Sequence, residues 1–203
     1  MDTRTWACAA AGAIGVLAGT ASGQAIGAFF EVSNDLSPSQ PTATVTLWVP
    51  VPDDLYAVAA VAFDAFLDPA PDAAPSAAWS DPMRAVGFDA PGTSDGVVSA
   101  DGLAVLGALP GQLNFPAAGI FADPSNPIAV WSATISVDDF TPRGVDVRTD
   151  IRRSTFYVGD SSAMSVDRAI GDARATVMVV PAPGVGGVLA LGLLGVGARS
   201  RRR

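Results

Sequence analysis

The side chains in this sequence that could do chemistry are almost all carboxylates. Residues 26–180 contain nineteen acidic residues and seven arginines, a net charge of −12, with no lysine and no histidine. The single cysteine, Cys8, lies before them in an N-terminal apolar segment. Without thiol or imidazole, residues 26–180 have no Ser–His or Cys–His couple, no disulfide, and no Cys or His zinc ligand. Their acidity also makes nucleic acid an unsuitable partner, because phosphate binding draws on clustered Lys and Arg.

Calcium binding is one chemistry that acidic loops could support. Asp95-Gly96 and Asp101-Gly102 lie six residues apart, but the alternating Asp residues and closing Glu of an EF-hand loop are missing. Two ordinary Asp-Gly turns explain this pattern. Asp53-Asp54, Asp138-Asp139 and Asp160 could still offer oxygen ligands from neighbouring loops. A Ca²⁺-binding module is therefore kept as an alternative.

A small carboxylate-dependent hydrolase is the catalytic alternative. Glycoside hydrolysis needs two carboxyls across a cleft, but with nineteen acidic residues some pair always lies at a suitable distance. No Gly-rich loop opens a helix after a strand, and Arg152-Arg153 fits strand-edge charge better than a phosphate clamp. We therefore predict a non-catalytic protein with no catalytic, cofactor-binding or metal-binding residues.

The elements that would position these side chains are mainly strands. Apolar and polar residues alternate with a period of two, most clearly in residues 145–152. Further strands are predicted at 28–32, 44–49, 58–66, 128–137, 156–158 and 173–180, and a short helix at 101–109. Breaks rich in Pro and Gly separate them at 69–82, 90–96, 110–116 and 123–127. Many short strands with turn signals predict a mainly β fold for residues 26–180, an antiparallel β-sandwich with a jelly-roll-like arrangement as one form.

The large aromatic residues of this domain are predicted to form its core: Phe63, Phe88, Phe115, Phe121, Trp131, Phe140 and Phe156. An aromatic platform for sugar would need rings exposed on one face, which periodicity alone does not show, so a carbohydrate-binding module stays open as a further alternative. The strand layout and the Phe63-Asp64 pair that ends a long apolar strand are similar to the cohesin-like sandwiches of exported proteins.

Residues 1–25 have the three parts of a secretory signal peptide, predicted as a helix. Arg4 and the α-amine outweigh Asp2, an apolar run follows from Trp6 to Ala18, and small residues close the segment at 21–25. Cleavage after Gly23 or after Ala25 would each satisfy a small-x-small rule. The run of about 13 residues is too short for a comfortable membrane span. We expect export, with signal peptidase as a processing partner.

A second predicted helix, short and apolar, lies near the C-terminus after Pro181, Ala182 and Pro183. It covers residues 185–198, about 21 Å as a helix against a hydrocarbon core of about 30 Å. Four arginines follow it: Arg199, Arg201, Arg202 and Arg203. By the positive-inside rule the arginines stay cytoplasmic while the signal peptide sends the domain across the membrane. The segment is suited to holding the chain in the inner membrane transiently.

Residues 180–203 resemble the PEP-CTERM sorting signal of exosortase substrates, which joins a Pro-Glu-Pro-like motif, a short apolar helix and an Arg cluster. Ala182 stands where the usual Glu lies between the prolines. The resemblance implies that an exosortase-type enzyme removes the tail, residues 181–203, and that the domain reaches the cell-envelope surface or extracellular matrix, where polysaccharide is a candidate partner. An uncut C-terminal anchor is the alternative.

Overall fold

A computed structural model describes residues 27–68 and 77–181 of the chain. The predicted signal peptide with Gly23 and Ala25, and the tail from Ala182 through the four terminal arginines, lie outside these residues. Pro181 is the only residue of the proposed sorting motif within them. In the described part of the chain, no helix is long and apolar enough to cross a membrane.

Ten strands and one short 3-10 turn, Pro116–Ala118, make up the described secondary structure. One group of strands is β1 (Phe29–Val32), β2 (Thr42–Val49), β4 (Ala77–Arg84) and β7 (Ile128–Val137). The other is β3 (Ala57–Asp68), β5 (Val97–Val98), β6 (Ala104–Ala108), β8 (Arg143–Tyr157), β9 (Ser165–Asp167) and β10 (Arg174–Val179). The first group forms a sheet in the order β1-β2-β7-β4. The second forms a sheet in the order β10-β8-β3-β6-β5, with β9 paired to β8.

The two sheets pack face to face because alternate residues of their strands are apolar and point toward each other. Val45 and Leu47 of β2 are fully buried in one core with Val61 and Phe63 of β3. Across the interface, Phe63 meets Trp131 of β7 edge to face, with ring centroids 5.3 Å apart. All of the strand pairs are antiparallel. The predicted antiparallel β-sandwich is confirmed.

The strand predictions differ in how well they match. Those at 28–32, 44–49, 58–66, 128–137 and 173–180 agree with the structure to within two residues. The strands predicted at 145–152 and 156–158 belong to one long strand, β8, which ends at Tyr157 and leaves Val158 outside it. The helix predicted at 101–109 is wrong, because a turn at Asp101–Gly102 leads into β6, which pairs with β3.

Strand β4 was missed because it begins within the predicted break at 69–82. Its Ala77 and Trp79 are buried, whereas Asp81 has a positive φ of 50° at a bulge against β7. Pro82 follows at the same bulge, where an edge strand tolerates a residue without an N–H group. The turn-forming residues Asp81 and Pro82 thus lie inside a strand rather than between two strands.

The long strand β8 separates two ends of the sandwich. It spans about 45 Å from Arg143 to Tyr157, at about 3.3 Å per residue. The last residue of β10, Val179, pairs with Arg143, so Pro181 leaves the domain beside the start of β8. We call this the tail end. The opposite end, where Ala57 pairs with Tyr157, is the loop end.

Candidate functional site

Two segments, residues 110–126 and 158–164, form a layer of loops over the loop end, which we call the loop layer. The buried side chain of Gln112 fastens the first segment. Its Nε2 donates to the carbonyl of Val58 at 2.6 Å, and its Oε1 accepts from the N–H of Asp123 at 2.8 Å. The backbone N–H of Gln112 also donates to the carbonyl of Ala59. The first segment is therefore bonded directly to β3.

Asn114 joins the two segments of the loop layer. Its side chain is only 2% exposed, and its Nδ2 donates to the carbonyls of Gly159 at 3.1 Å and Ser162 at 2.8 Å. Its Oδ1 accepts from the N–H of Ala122 at 3.2 Å. The hydroxyl of Tyr157 donates to the carbonyl of Gln112 and accepts from the N–H of Asn114. A buried amide with this many partners fixes the position of the loops.

Because Gln112 and Asn114 point inward, the residues that alternate with them, Leu113 and Phe115, point outward. Phe115 is 53% exposed, and elsewhere in the loop layer Phe121 and Met164 are 62% and 64% exposed. Six large apolar side chains of the loop layer are exposed, and we call this set the apolar patch: Leu113, Phe115, Ile120, Phe121, Val158 and Met164. Backbone bonds pair Phe115 with Ile120 and Val158 with Met164.

The apolar patch corrects the predicted aromatic core. Phe63, Phe88, Trp131 and Phe156 are buried as predicted, and Phe140 packs partly buried against the core. The prediction was wrong for Phe115 and Phe121. The order Gln112-Leu113-Asn114-Phe115 alternates polar and apolar residues, and residue type alone assigns the apolar positions to the inside. Here the amides are the inward-facing residues.

The outer face of the six-stranded sheet, which we call the charged face, carries paired charges. Arg148 meets Asp68 at 2.6 Å and Arg152 meets Asp64 at 2.9 Å. Arg153 meets Asp167 at 3.1 Å, so both residues of the Arg152-Arg153 pair are strand charges with carboxylate partners. Two shallow, open depressions on this face are lined by both carboxylates and arginines. In them Asp68 pairs with Arg148, and Asp167 pairs with Arg153.

The outer face of the four-stranded sheet has a different composition. Its two central strands, β2 and β7, contain no charged residue. Cross-strand register places Thr46 opposite Ser132, and Thr134 between Thr44 and Ser80. We call this the hydroxyl face, and its outward Ser and Thr residues are Thr42, Thr44, Thr46, Ser80, Ser132, Thr134 and Ser136.

An aromatic pair lies at one edge of the hydroxyl face. Phe29 of β1 is directly opposite Trp48 of β2, and their rings are parallel to within 8° with centroids 6.5 Å apart. Phe29 is 43% exposed, and Trp48 is partly exposed. The indole N–H of Trp48 donates to Oε2 of Glu31 at 2.9 Å, which orients the ring.

Among the described residues, four carboxyls have a pKa below the ordinary value. Asp101, Asp123 and Asp139 accept hydrogen bonds from residues two positions away, whereas Asp95 accepts from Arg84 at the end of β4. The backbone N–H of Arg84 is the main cause for Asp95, the hydroxyl of Ser99 for Asp101, the hydroxyl of Ser125 for Asp123, and the backbone N–H of Thr141 for Asp139. Gly96 and Gly102 have positive φ angles of 90° and 73°, as Asp-Gly turns require. These carboxylates stabilise loops.

The acidic loops considered for calcium do not assemble into one site. Asp53-Asp54 precedes β3 at the loop end, whereas Asp138-Asp139 precedes β8 at the tail end. Asp54 pairs with Arg168, and Asp139 with Arg143. Asp160 lies in the loop layer beside Asn114. In residues 27–68 and 77–181, no three acidic side chains are grouped closely enough to hold a metal ion.

Comparison with known proteins finds similarity to solved structures and to nothing else. No protein-family model matches the chain, and neither does any curated protein. The chain is similar to the sixth cohesin of scaffoldin B from Acetivibrio cellulolyticus, solved in complex with a Cel5 dockerin variant, at 13% identity and a TM-score of 0.42. It is also similar to a type I cohesin, Coh-OlpA, from a cohesin–dockerin complex of Clostridium thermocellum, at 15% identity and a TM-score of 0.43. Each match covers 73% of this chain and 96% of the cohesin. Neither identity is high enough to carry a residue's role from one chain to the other.

Proposed function

We propose that this chain is an exported, non-catalytic interaction module of the cell surface or extracellular matrix, which binds a protein partner through the apolar patch. The observation that carries the proposal is the set of six apolar side chains held in exposed positions by buried amides. A chain that kept these residues only for stability would gain by burying them, since full burial of one Phe stabilises by about 1.5–3 kcal/mol. Their exposure on fixed loops favours a binding role.

The structure of the loop layer suits association with another protein. Aromatic residues and Met are enriched at the centres of protein interfaces, and they supply much of the binding energy there. The loops that carry them are already bonded to each other through Asn114 and to β3 through Gln112. Binding would therefore require little further ordering of the backbone, a cost that weakens association through flexible loops.

Export and sorting are proposed from the two ends of the sequence. Signal peptidase would cleave after Gly23 or Ala25, and an exosortase-type enzyme would act at Pro181, Ala182 and Pro183. The structure adds an orientation to this proposal. Pro181 leaves from the tail end, so a domain held by its tail would present the apolar patch about 45 Å away, along β8, from the point of attachment.

A double variant, Phe115→Ser with Phe121→Ser, tests the binding role in the protein's own cells. We expect the exported protein to shift from the cell-surface and matrix fraction to the medium, with the ratio of retained to free protein falling about tenfold or more. Quantitative immunoblotting of the two fractions gives this ratio. The melting temperature should stay close to that of the wild type, because both side chains are already exposed.

Val86→Ser is the matched control, since Val86 is fully exposed in a turn outside the loop layer. This variant should be retained like the wild type. Wild-type retention of the double variant would overturn the proposed role of the apolar patch. Equal loss in the double variant and the control would also overturn it.

Of the alternative functions, carbohydrate binding is favoured by a specific observation, the Phe29–Trp48 pair on the hydroxyl face. The calcium-binding and hydrolase alternatives gain no comparable support from the described residues, because the acidic loops lie at opposite ends and the charged face pairs carboxylates with arginines.

A further inference from the structure

The hydroxyl face has uncharged central strands, and several of its hydroxyl groups make no hydrogen bond through the side chain to another described residue. Its central strands carry no charge, although the domain as a whole is strongly acidic. The hydroxyls of Thr46, Ser132 and Thr134 make no side-chain hydrogen bond within the described part of the chain. They are free to donate to or accept from a ligand. Because these hydroxyl residues follow two neighbouring strands, they suit an extended polymer better than a small molecule.

The aromatic pair supplies the second element of recognition. Phe29 and Trp48 present parallel rings at the edge of this face, and the bond from Trp48 to Glu31 holds the indole in place before any ligand arrives. A pyranose ring can contact both the aromatic pair and the hydroxyl residues. Its C–H groups pack against aromatic rings, and its hydroxyls exchange hydrogen bonds with Ser and Thr.

We propose that the hydroxyl face with the Phe29–Trp48 pair binds a neutral polysaccharide. This inference deepens the proposed matrix function by naming a second partner at a site separate from the apolar patch, and it rests on that function only for access to such a polymer. An anionic polysaccharide does not fit. The domain has a net charge of −12, and β1, β2 and β7 offer no cation to bind it. The uncharged central strands β2 and β7 let a neutral chain approach without desolvating ions there, and the carboxylate of Glu31, opposite Thr46 on β1, would repel an anionic polymer.

Affinity electrophoresis of the purified protein, in whichever form the cells yield it, tests this site. Native gels would contain hydroxyethyl cellulose, dextran or laminarin as neutral polymers, with alginate as the anionic comparison. We expect at least one neutral polymer to retard the wild type and alginate to have no effect. Phe29→Ser should weaken that binding roughly three- to tenfold, the loss expected when about half of one Phe side chain is no longer buried.

Two controls separate the aromatic pair from general surface effects. Met178→Ser removes a side chain of similar exposure from the outer face of the other sheet and should bind like the wild type. Glu31→Gln keeps an acceptor for the Trp48 indole and should change the affinity less than twofold. Melting temperatures confirm that each variant is folded.

The inference is overturned if no neutral polymer retards the protein, if alginate retards it equally, or if Met178→Ser loses as much affinity as Phe29→Ser. The Phe115→Ser, Phe121→Ser variant should still bind the neutral polymer. If this double variant binds the polymer and its matrix retention is unchanged, only the proposed role of the apolar patch is contradicted. If it loses polymer binding and its matrix retention falls, only the proposed site on the hydroxyl face is contradicted.

Discussion

The loop layer and the charged face are both at the surface, but they place their polar groups in opposite ways. In the loop layer, Gln112 and Asn114 are buried, and apolar side chains cover the outside. On the charged face, Arg148 and Asp68 are about half exposed, and apolar residues of the same strands fill the core. The charged face follows the usual alternation of a half-buried strand, and the loop layer reverses it.

The two regions should therefore contribute differently to the stability of the fold. Exposed ion pairs contribute little to folding, about 0–1 kcal/mol each, so the charged face mainly adds solubility. A buried amide that loses its partners costs much more. The position of the apolar patch therefore depends on buried polar contacts, and substitutions in the two regions should change the free energy of unfolding by different amounts.

The largest effect is expected for Asn114→Ala. It leaves the carbonyls of Gly159 and Ser162 and the N–H of Ala122 without their side-chain partner. We expect a loss of about 2–4 kcal/mol in the free energy of unfolding, measured by urea denaturation. Asn34→Ala is the matched control, because Asn34 is partly exposed and its amide also bonds two carbonyls; its loss should be below about 1 kcal/mol. Equal losses in the two variants would remove the distinction between the regions.

A smaller effect is expected for Tyr157→Phe. The change removes one hydroxyl that bonds the backbone of both Gln112 and Asn114 while keeping the ring. The free energy of unfolding should fall by about 1–2 kcal/mol. Tyr56→Phe serves for comparison, since the partly buried Tyr56 makes one longer bond, of 3.3 Å, to the carbonyl of Ala122. A larger loss for Tyr56→Phe than for Tyr157→Phe would show that the Tyr157 hydroxyl does not organise the layer.

On the charged face, Arg148→Met should cost less than about 1 kcal/mol. It breaks the exposed ion pair with Asp68 and the contact of the guanidinium with the ring of Phe66, 4.5 Å from the centroid. The part due to charge should shrink in about 1 M salt, where the screening length is about 3 Å. Thermal unfolding at low and high salt measures the total loss of stability and its salt-dependent part. A salt-independent loss above about 2 kcal/mol would contradict the view that this ion pair contributes little to folding.

The smallest change is expected for Ser125→Ala, in the dependence of the melting temperature on pH. The Ser125 hydroxyl and then the Ser125 backbone N–H hold the pKa of Asp123 below its ordinary value. A carboxyl with a lowered folded pKa contributes stability fully above the unfolded pKa of about 3.9, and this contribution is lost as the pH falls through the folded pKa. Ser125→Ala should therefore lower the melting temperature slightly at pH 7, and the difference should disappear in strong acid. A difference that grows in acid would contradict the assignment.

Strands were predictable where burial follows the period-two pattern. The prediction at 128–137 matches both bounds of β7, whose burial alternates except at the consecutive buried residues Val130 and Trp131. Strand β4 was not predicted, because its bulge contains Asp81 and Pro82, which are typical of turns. The segment is a strand because it pairs with β7. The helix predicted at 101–109 failed for a similar reason, since β6 depends on long-range bonds with β3.

The two candidate surfaces were harder to predict. Periodicity shows that Phe29 and Trp48 belong to strands, but their parallel rings depend on the register between β1 and β2. For Phe115 and Phe121, the decisive facts are the partners of Asn114, which come from a segment some 45 residues along the chain. Local sequence does not contain those contacts, so the apolar residues were assigned to the core.

The central claim is that the domain is delivered outside the cell and released from the tail that leaves it opposite the apolar patch. Intact-mass measurement of the protein recovered from its own cells tests this most directly, because one spectrum reports both ends. The account predicts a product that begins near Gln24 or Ile26 and lacks Arg199, Arg201, Arg202 and Arg203. A product that retains the four arginines would contradict the sorting proposal, and one that begins at Met1 would contradict export by a cleaved signal peptide.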